Sequence, residues 1–183
     1  LIDYFSRGIP TIERLSPVED TVQSPPLVRF RVKEGFDIPI DPSSVKLFLN
    51  GREHRCTYVS KTGEIIYRLS KTVPNGTYNI YAVARSVKNG YGVSEPFKLT
   101  ISRPPASIIW LKEESLGNGN LRAGVRIFDE LGLPIIDGTP VKVKSLTRNI
   151  EFRGKSKKGY FYFTTKDIQE QEKFVAIAGN ICD

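Results

Sequence analysis

The chain has no methionine, one histidine, one tryptophan and two cysteines in 183 residues. A lone His54 leaves a Ser-His-Asp arrangement with a single candidate base. With Cys56 two residues away on an expected strand, it falls short of the four ligands that tetrahedral zinc takes. No phosphate-cradling glycine loop precedes a helical pattern, and no nucleophile elbow is present. Cys56 and Cys182 fall in different halves, so a bridge within one half is excluded. Free thiols, which we favour, a bridge across the halves and a bridge between chains stay open. No long apolar run is present, so no membrane insertion is expected. No charged-then-apolar signal segment opens the chain, and without an initiator methionine Leu1 is expected to begin a processed or excised piece.

No long run of charge of one sign is present. Lys and Arg total 27 against 20 Asp and Glu, a net charge of +7. The basic residues mostly alternate with apolar ones, the pattern of outward-facing strand positions that also discourage sheets from pairing edge to edge. Diffuse charge without a matching aromatic platform argues against nucleic acid as a partner. Asp129, Glu130 and Asp137 flank two turns and could gather a hard cation. In turns such carboxylates bond their own backbone, and no metal or other cofactor is expected.

What the chain does have is period-2 alternation. Val28, Phe30 and Val32 face one way against Arg29, Arg31 and Lys33, which reads as a strand. Val45, Leu47 and Leu49 repeat the pattern. Asn50-Gly51 is a strong hairpin signal, because both central residues of a type I′ turn need positive φ. Tyr78, Ile80, Ala82 and Ala84 share a further face, and Phe97 to Ile101 closes the first half. The alternation restarts with Ile108 to Trp110, then runs through Ala123, Val125 and Ile127, through Val141 and Val143, through Tyr160 to Thr164 and through Phe174 to Ala178. Between the halves stands Ile101-Ser102-Arg103-Pro104-Pro105-Ala106. Adjacent prolines hold the chain extended and cannot donate to a sheet. The expected architecture is all-β: two β-sandwich domains in tandem, residues 16–103 and 104–183, after a leader of residues 1–15. Arg103, Pro104, Pro105 and Trp110 are expected at the joint.

Several residues stand out against this frame. Leu1, Ile2, Tyr4, Phe5, Ile9 and Ile12 are apolar without a clean period. They either pack beside the first sandwich or form an arm that adds to another subunit's sheet. Asn75-Gly76-Thr77 fits the N-glycosylation pattern and is equally a good turn. Arg153, Lys155, Lys157 and Lys158 are expected in one loop, as a charged hairpin tip or an anchor for an acidic polymer. Leu133, Ile135 and Ile136 make a turn unusually apolar, either packed against the neighbouring domain or open for docking. Tyr81, Tyr91, Phe128, Phe161 and Phe163 cannot all fill one inner face, which leaves room for an exposed strip that stacks sugars.

Asp41 to Leu47, Leu49-Asn50-Gly51, Gly76 to Ile80 and Ser94 to Ile101 together resemble the bacterial and archaeal immunoglobulin-like modules of large secreted and surface proteins. In place of the acidic stretch common in those modules stands Val87-Lys88-Asn89-Gly90, so no calcium site is carried over. Val125 to Asp129, Gly132, Pro134, Asp137 to Val141, Gly159-Tyr160 and Val175 to Gly179 resemble the immunoglobulin-like repeats of the invasin and intimin adhesins. The resemblance implies a non-enzymatic structural module of the cell surface or extracellular space, a stalk, adhesin or filament subunit with protein partners. The alternative is a carbohydrate-binding accessory module of a secreted polysaccharide-degrading enzyme, with polysaccharide as partner.

Overall fold

A computed structural model describes residues 7–166, 172–179 and 181–182, the last two by their backbone alone. The described chain is built from β-strands. They are β1 (Thr11–Ser16), β2 (Thr21–Val22), β3 (Leu27–Lys33), β4 (Ile40–Leu49), β5 (Arg52–His54), β6 (Thr57–Val59), β7 (Glu64–Arg68), β8 (Gly76–Ser86), β9 (Tyr91–Val93) and β10 (Phe97–Ile101). There follow β11 (Ser107–Trp110), β12 (Glu114–Gly117), β13 (Asn120–Phe128), β14 (Pro140–Ser145), β15 (Glu151–Lys155), β16 (Tyr160–Lys166), β17 (Phe174–Ala178) and β18 (Ile181–Cys182).

The chain divides into two compact units. The first holds residues 1–73 and 77–100; the second holds Pro74–Gly76 and everything from Ile101 on. In the first unit one sheet runs β1-β3-β7-β6. The other runs β2-β10-β8-β4-β5, with β9 also paired to β8. In chain order this is the ABED sheet facing a GFC sheet, the immunoglobulin arrangement. The alternating residues fill its core as the sequence predicts: Val28, Phe30, Leu47, Ile65, Ile80, Ala82, Ala84 and Leu99 are buried. Asn50 and Gly51 take φ of 49° and 76°, as the type I′ turn requires.

The described part of the leader, from Arg7 on, belongs to this sandwich. β1 pairs antiparallel with β3, Ile12 opposite Val32, and Ile12 is buried in the core. Glycines make room for the chain that precedes it. A β-carbon on Gly92 would lie 2.2 Å from the carbonyl oxygen of Pro10, on Gly90 2.4 Å from that of Arg7, and on Gly35 2.4 Å from that of Ile9. Beside them the buried Ser86 hydroxyl donates to the Arg7 carbonyl and accepts from the Gly90 N–H at 3.0 Å.

In the second unit β13 pairs with β11 and β12 on one side and with β16 on the other; the facing sheet is β15-β14-β17-β18. β15 stays beside β14 here as β5 stays beside β4 in the first unit, where a further strand, β6, crosses to pair with β7. A cluster of rings joins aliphatic side chains in the core. The Phe163 ring meets Phe152 at 4.5 Å, Phe174 at 5.7 Å and Trp110 edge-on at 6.5 Å between centroids. Trp110, expected at the joint, therefore packs into the second unit's own core. Ile135 belongs to the same core, so the apolar turn fills its own sandwich. Phe161 and Phe163 point inward as well, which removes them from the expected surface strip.

Candidate functional site

The residues singled out by sequence fall in several places. Leu1, Ile2, Tyr4 and Phe5 lie outside the described residues; Ile9 is half-buried and Ile12 is core. His54 ends β5 and sets its Nδ1 3.0 Å from the Tyr67 hydroxyl, while Cys56 lies beyond the strand end, so the two do not share a strand face. Burial pushes the Cys56 thiol above its ordinary pKa.

Asn75, Arg103 and Asp129 come together within the second unit, a convergence that local sequence patterns did not reveal. Arg103 and Asp129 form a buried ion pair, with side chains 2 % and 0 % exposed. Asp129 Oδ1 accepts the N–H groups of Leu131 and Leu133 at 2.9 and 2.8 Å, the local turn bonding expected of it. Its Oδ2 accepts Arg103 Nη1 at 3.3 Å and Asn75 Nδ2 at 3.0 Å. Asn75 Nδ2 also reaches the Pro134 carbonyl at 3.0 Å, and Asn75 Oδ1 accepts the Arg103 N–H at 2.8 Å. A glycan on Asn75 would replace one of those two Nδ2 hydrogens and so break a bond of this cluster. The groups here fix three backbone segments against one another, and each buried charge is met by hydrogen bonds, as burial demands. Pro104 is exposed, and Pro105 packs against Gly179.

The basic cluster divides. Arg153 and Lys155 lie on β15, not in a loop; only Lys157 and Lys158 occupy the turn before β16, where Lys158 has φ of 53°. All four are exposed. Because β15 alternates, Arg153 and Lys155 share the outer face of their sheet with Lys142 and Lys144 of β14, and Arg153 stands opposite Lys142. Sequence reasoning missed the two β14 lysines, since register across strands brings them there. Glu151 bridges this stripe, bonded to Arg153 and 3.2 Å from Lys142. The Arg153 hydrogen bond and the nearby Lys142 hold its carboxyl below the usual range. An open groove beside it is lined by Pro140, Lys142, Arg153, Ile177 and Gly179.

The opposite sheet of the same unit carries exposed aromatics other than those expected. Phe161 and Phe163 face in, so Tyr160 and Tyr162 face out. Gly124 lies across from Tyr162, and a β-carbon there would lie 2.6 Å from the tyrosine ring. The missing side chain lets that ring lie over β13. Tyr160 and Tyr162 are parallel at 5.9 Å. The Arg122 guanidinium sits 4.3 Å over Tyr162, and that of Arg126 lies 5.0 Å from Tyr160 and 4.7 Å from Phe128. The result is an interleaved row of rings and guanidinium groups. In the first unit, Tyr81 stacks on Phe48 at 4.9 Å and Tyr91 meets Arg85 at 5.3 Å.

No protein-family model matches the chain, and no curated protein sequence matches it. Solved structures resemble it at low identity. The fibronectin(III)-like modules of Clostridium thermocellum CbhA share 14 % identity over 94 % of this chain and 90 % of that one, with a TM-score of 0.41. The Yersinia pseudotuberculosis adhesin InvE shares 11 % over 98 % of this chain and 57 % of that one, at 0.48, so the chain spans little more than half of that structure. A chimeric titin Z1Z2 shares 14 % over 95 % and 91 %, at 0.38. These likenesses are too distant to bear on function, and the immunoglobulin-like assignment rests on the strand order itself.

Proposed function

We propose that the chain is a non-enzymatic structural module of the cell surface or extracellular space, used for spacing or adhesion in a stalk or filament. The carrying observation is the construction of both units. Each is an immunoglobulin-like sandwich filled by its own core, and buried polar groups in each, Ser86 in the first and Asp129 with Arg103 in the second, hold backbone segments. Rigid sandwiches with binding confined to their surfaces suit such a role. Protease shaving of intact producing cells tests the location. Peptides of this chain released before lysis are the expected result; release only after lysis overturns the reading.

The filament form has its own support. β1 is an edge strand held by backbone pairing to β3, and a second copy can supply the same pairing. Light scattering of the full chain and of a chain lacking residues 1–15, which removes nearly all of β1, decides it. Polymers of the full chain and monomers of the shortened one are expected of a filament subunit; monomers in both assign the leader to its own sandwich alone. An accessory module that binds polysaccharide is the second reading, favoured by the outward row of Tyr160, Tyr162, Arg122 and Arg126.

A further inference from the structure

Among the described residues, Arg126 is a cation without an anion. Its guanidinium is flanked by Phe128 and Tyr160, and its Nε is buried with no hydrogen-bond partner. No carboxylate or other acceptor meets any of its nitrogens among the described residues. Arg29, Arg14 and Arg122, on other strand positions, are paired: Arg29 binds Glu64 at 2.6 Å, Arg14 binds Asp20 at 2.8 Å, and Arg122 approaches Glu114 at 3.9 Å. Stacking between rings fixes the plane of a guanidinium while leaving its edge donors able to form a forked pair with a carboxylate. The strand directly across presents the Tyr160 ring in register, and Tyr162 follows two residues on, 46 % exposed. The face thus offers an oriented fork, flanking aromatic surface and, at the adjoining turn, the exposed Lys157 and Lys158.

We infer that the outer face of β13 and β16 is a receptor for a carboxylate-bearing polysaccharide, with Arg126 capping a sugar carboxylate and Tyr160 and Tyr162 lying beside the sugar rings. Charge favours an acidic polymer, since the chain carries +7. The distribution of that charge favours a long flexible one. A second cationic stripe, Lys142, Lys144, Arg153 and Lys155, runs along the unit's other sheet, and a polymer with an anion on each repeat can meet separated cations in series where a compact partner meets a single patch. The inference goes beyond the structural-module reading and holds for a stalk and for an accessory module alike.

The test is electrophoresis of the full chain through gels containing polygalacturonate, with dextran, heparin and polyglutamate gels beside it, at low and moderate salt. The expected result is retardation by polygalacturonate and none by dextran, weakened by salt. Arg126→Ala lowers the apparent affinity about tenfold or more, the loss of a charge-assisted forked bond. Arg126→Lys, which keeps the charge and the stem, leaves it well below the parent, because an ammonium cannot fork. Trp110 fluorescence verifies that each variant is folded. Absence of retardation by polygalacturonate overturns the inference, as does retardation that both Arg126 variants leave unchanged, since that is diffuse attraction. Equal Arg126-dependent retardation by polyglutamate assigns the face to an acidic peptide, and by heparin alone to a sulfate; either outcome also overturns it. Each of these failures leaves the cell-shaving result standing.

Discussion

The two units reach the same two-sheet sandwich with different cores and different polar locks. The first packs mainly aliphatic side chains around Phe30, and its leader is seated by clearance: Gly35, Gly90 and Gly92 leave room for the backbone of Arg7 to Pro10. The second packs rings around Phe163, and its polar lock is a buried ion pair carrying hydrogen bonds to three segments. Beside that clearance the first unit's lock is the neutral Ser86 hydroxyl, bonded to the Arg7 carbonyl and the Gly90 N–H, whereas a buried ion pair leaves a charge without its partner when one member goes. The second unit is therefore the more fragile to a single polar substitution, and the first to added bulk.

Asp129→Ala is the largest expected effect. It removes the buried carboxylate that pairs with Arg103 and the acceptor of Leu131 and Leu133, costing about 3–5 kcal/mol. The sole tryptophan, Trp110, sits in the second unit's core, so its fluorescence follows that unit during urea unfolding. Its midpoint falls steeply in this variant. Phe30→Ala costs the first unit a similar amount, about 3–5 kcal/mol, yet leaves the Trp110 transition where it was. A shift of that transition would mean that the cores are not separate. Gly92→Val comes next. The added carbons collide with Pro10, costing about 1–3 kcal/mol, and limited proteolysis should cut before Thr11 faster than in the parent.

Acidity separates the units more gently. The Arg29 hydrogen bond, against an opposing burial effect, and the charges of Arg29 and Arg31 hold the Glu64 carboxyl below its ordinary range. A lowered pKa contributes stability that is complete above the unfolded value, about 4.3, and is lost as pH falls through the folded one. Glu64→Gln flattens that acid limb for the first unit, and Glu151→Gln does so for the second; an unchanged limb in both denies these pairs a role. Smallest of all, burial raises the Cys56 pKa, so iodoacetamide at neutral pH should modify it more slowly than a free cysteine peptide.

The contrast between the units also marks what could be read beforehand. Alternation alone placed Val28, Phe30, Leu47, Ile80 and Leu99 in one core, and Asn50-Gly51 fixed a turn, because these signals are local. The leader's strand went unread because β1 carries a single core residue, Ile12, among polar neighbours. β15 was read as loop because its sequence, Glu-Phe-Arg-Gly-Lys, offers one apolar side chain. Tyr160 and Tyr162 could have been assigned outward once Phe161 and Phe163 were given to the core, since a strand cannot bury both sets. The meeting of Asn75, Arg103 and Asp129 spans 54 residues between Asn75 and Asp129, and no local pattern encodes such a distance.

Hydrogen exchange on the full chain, parent against Asp129→Ala, tests most directly that these are two sandwiches with their own cores and locks. The account predicts faster exchange in β13, β14, β16 and β17 with the strand amides of β3, β4 and β8 unchanged. Equal acceleration in both sets would contradict it.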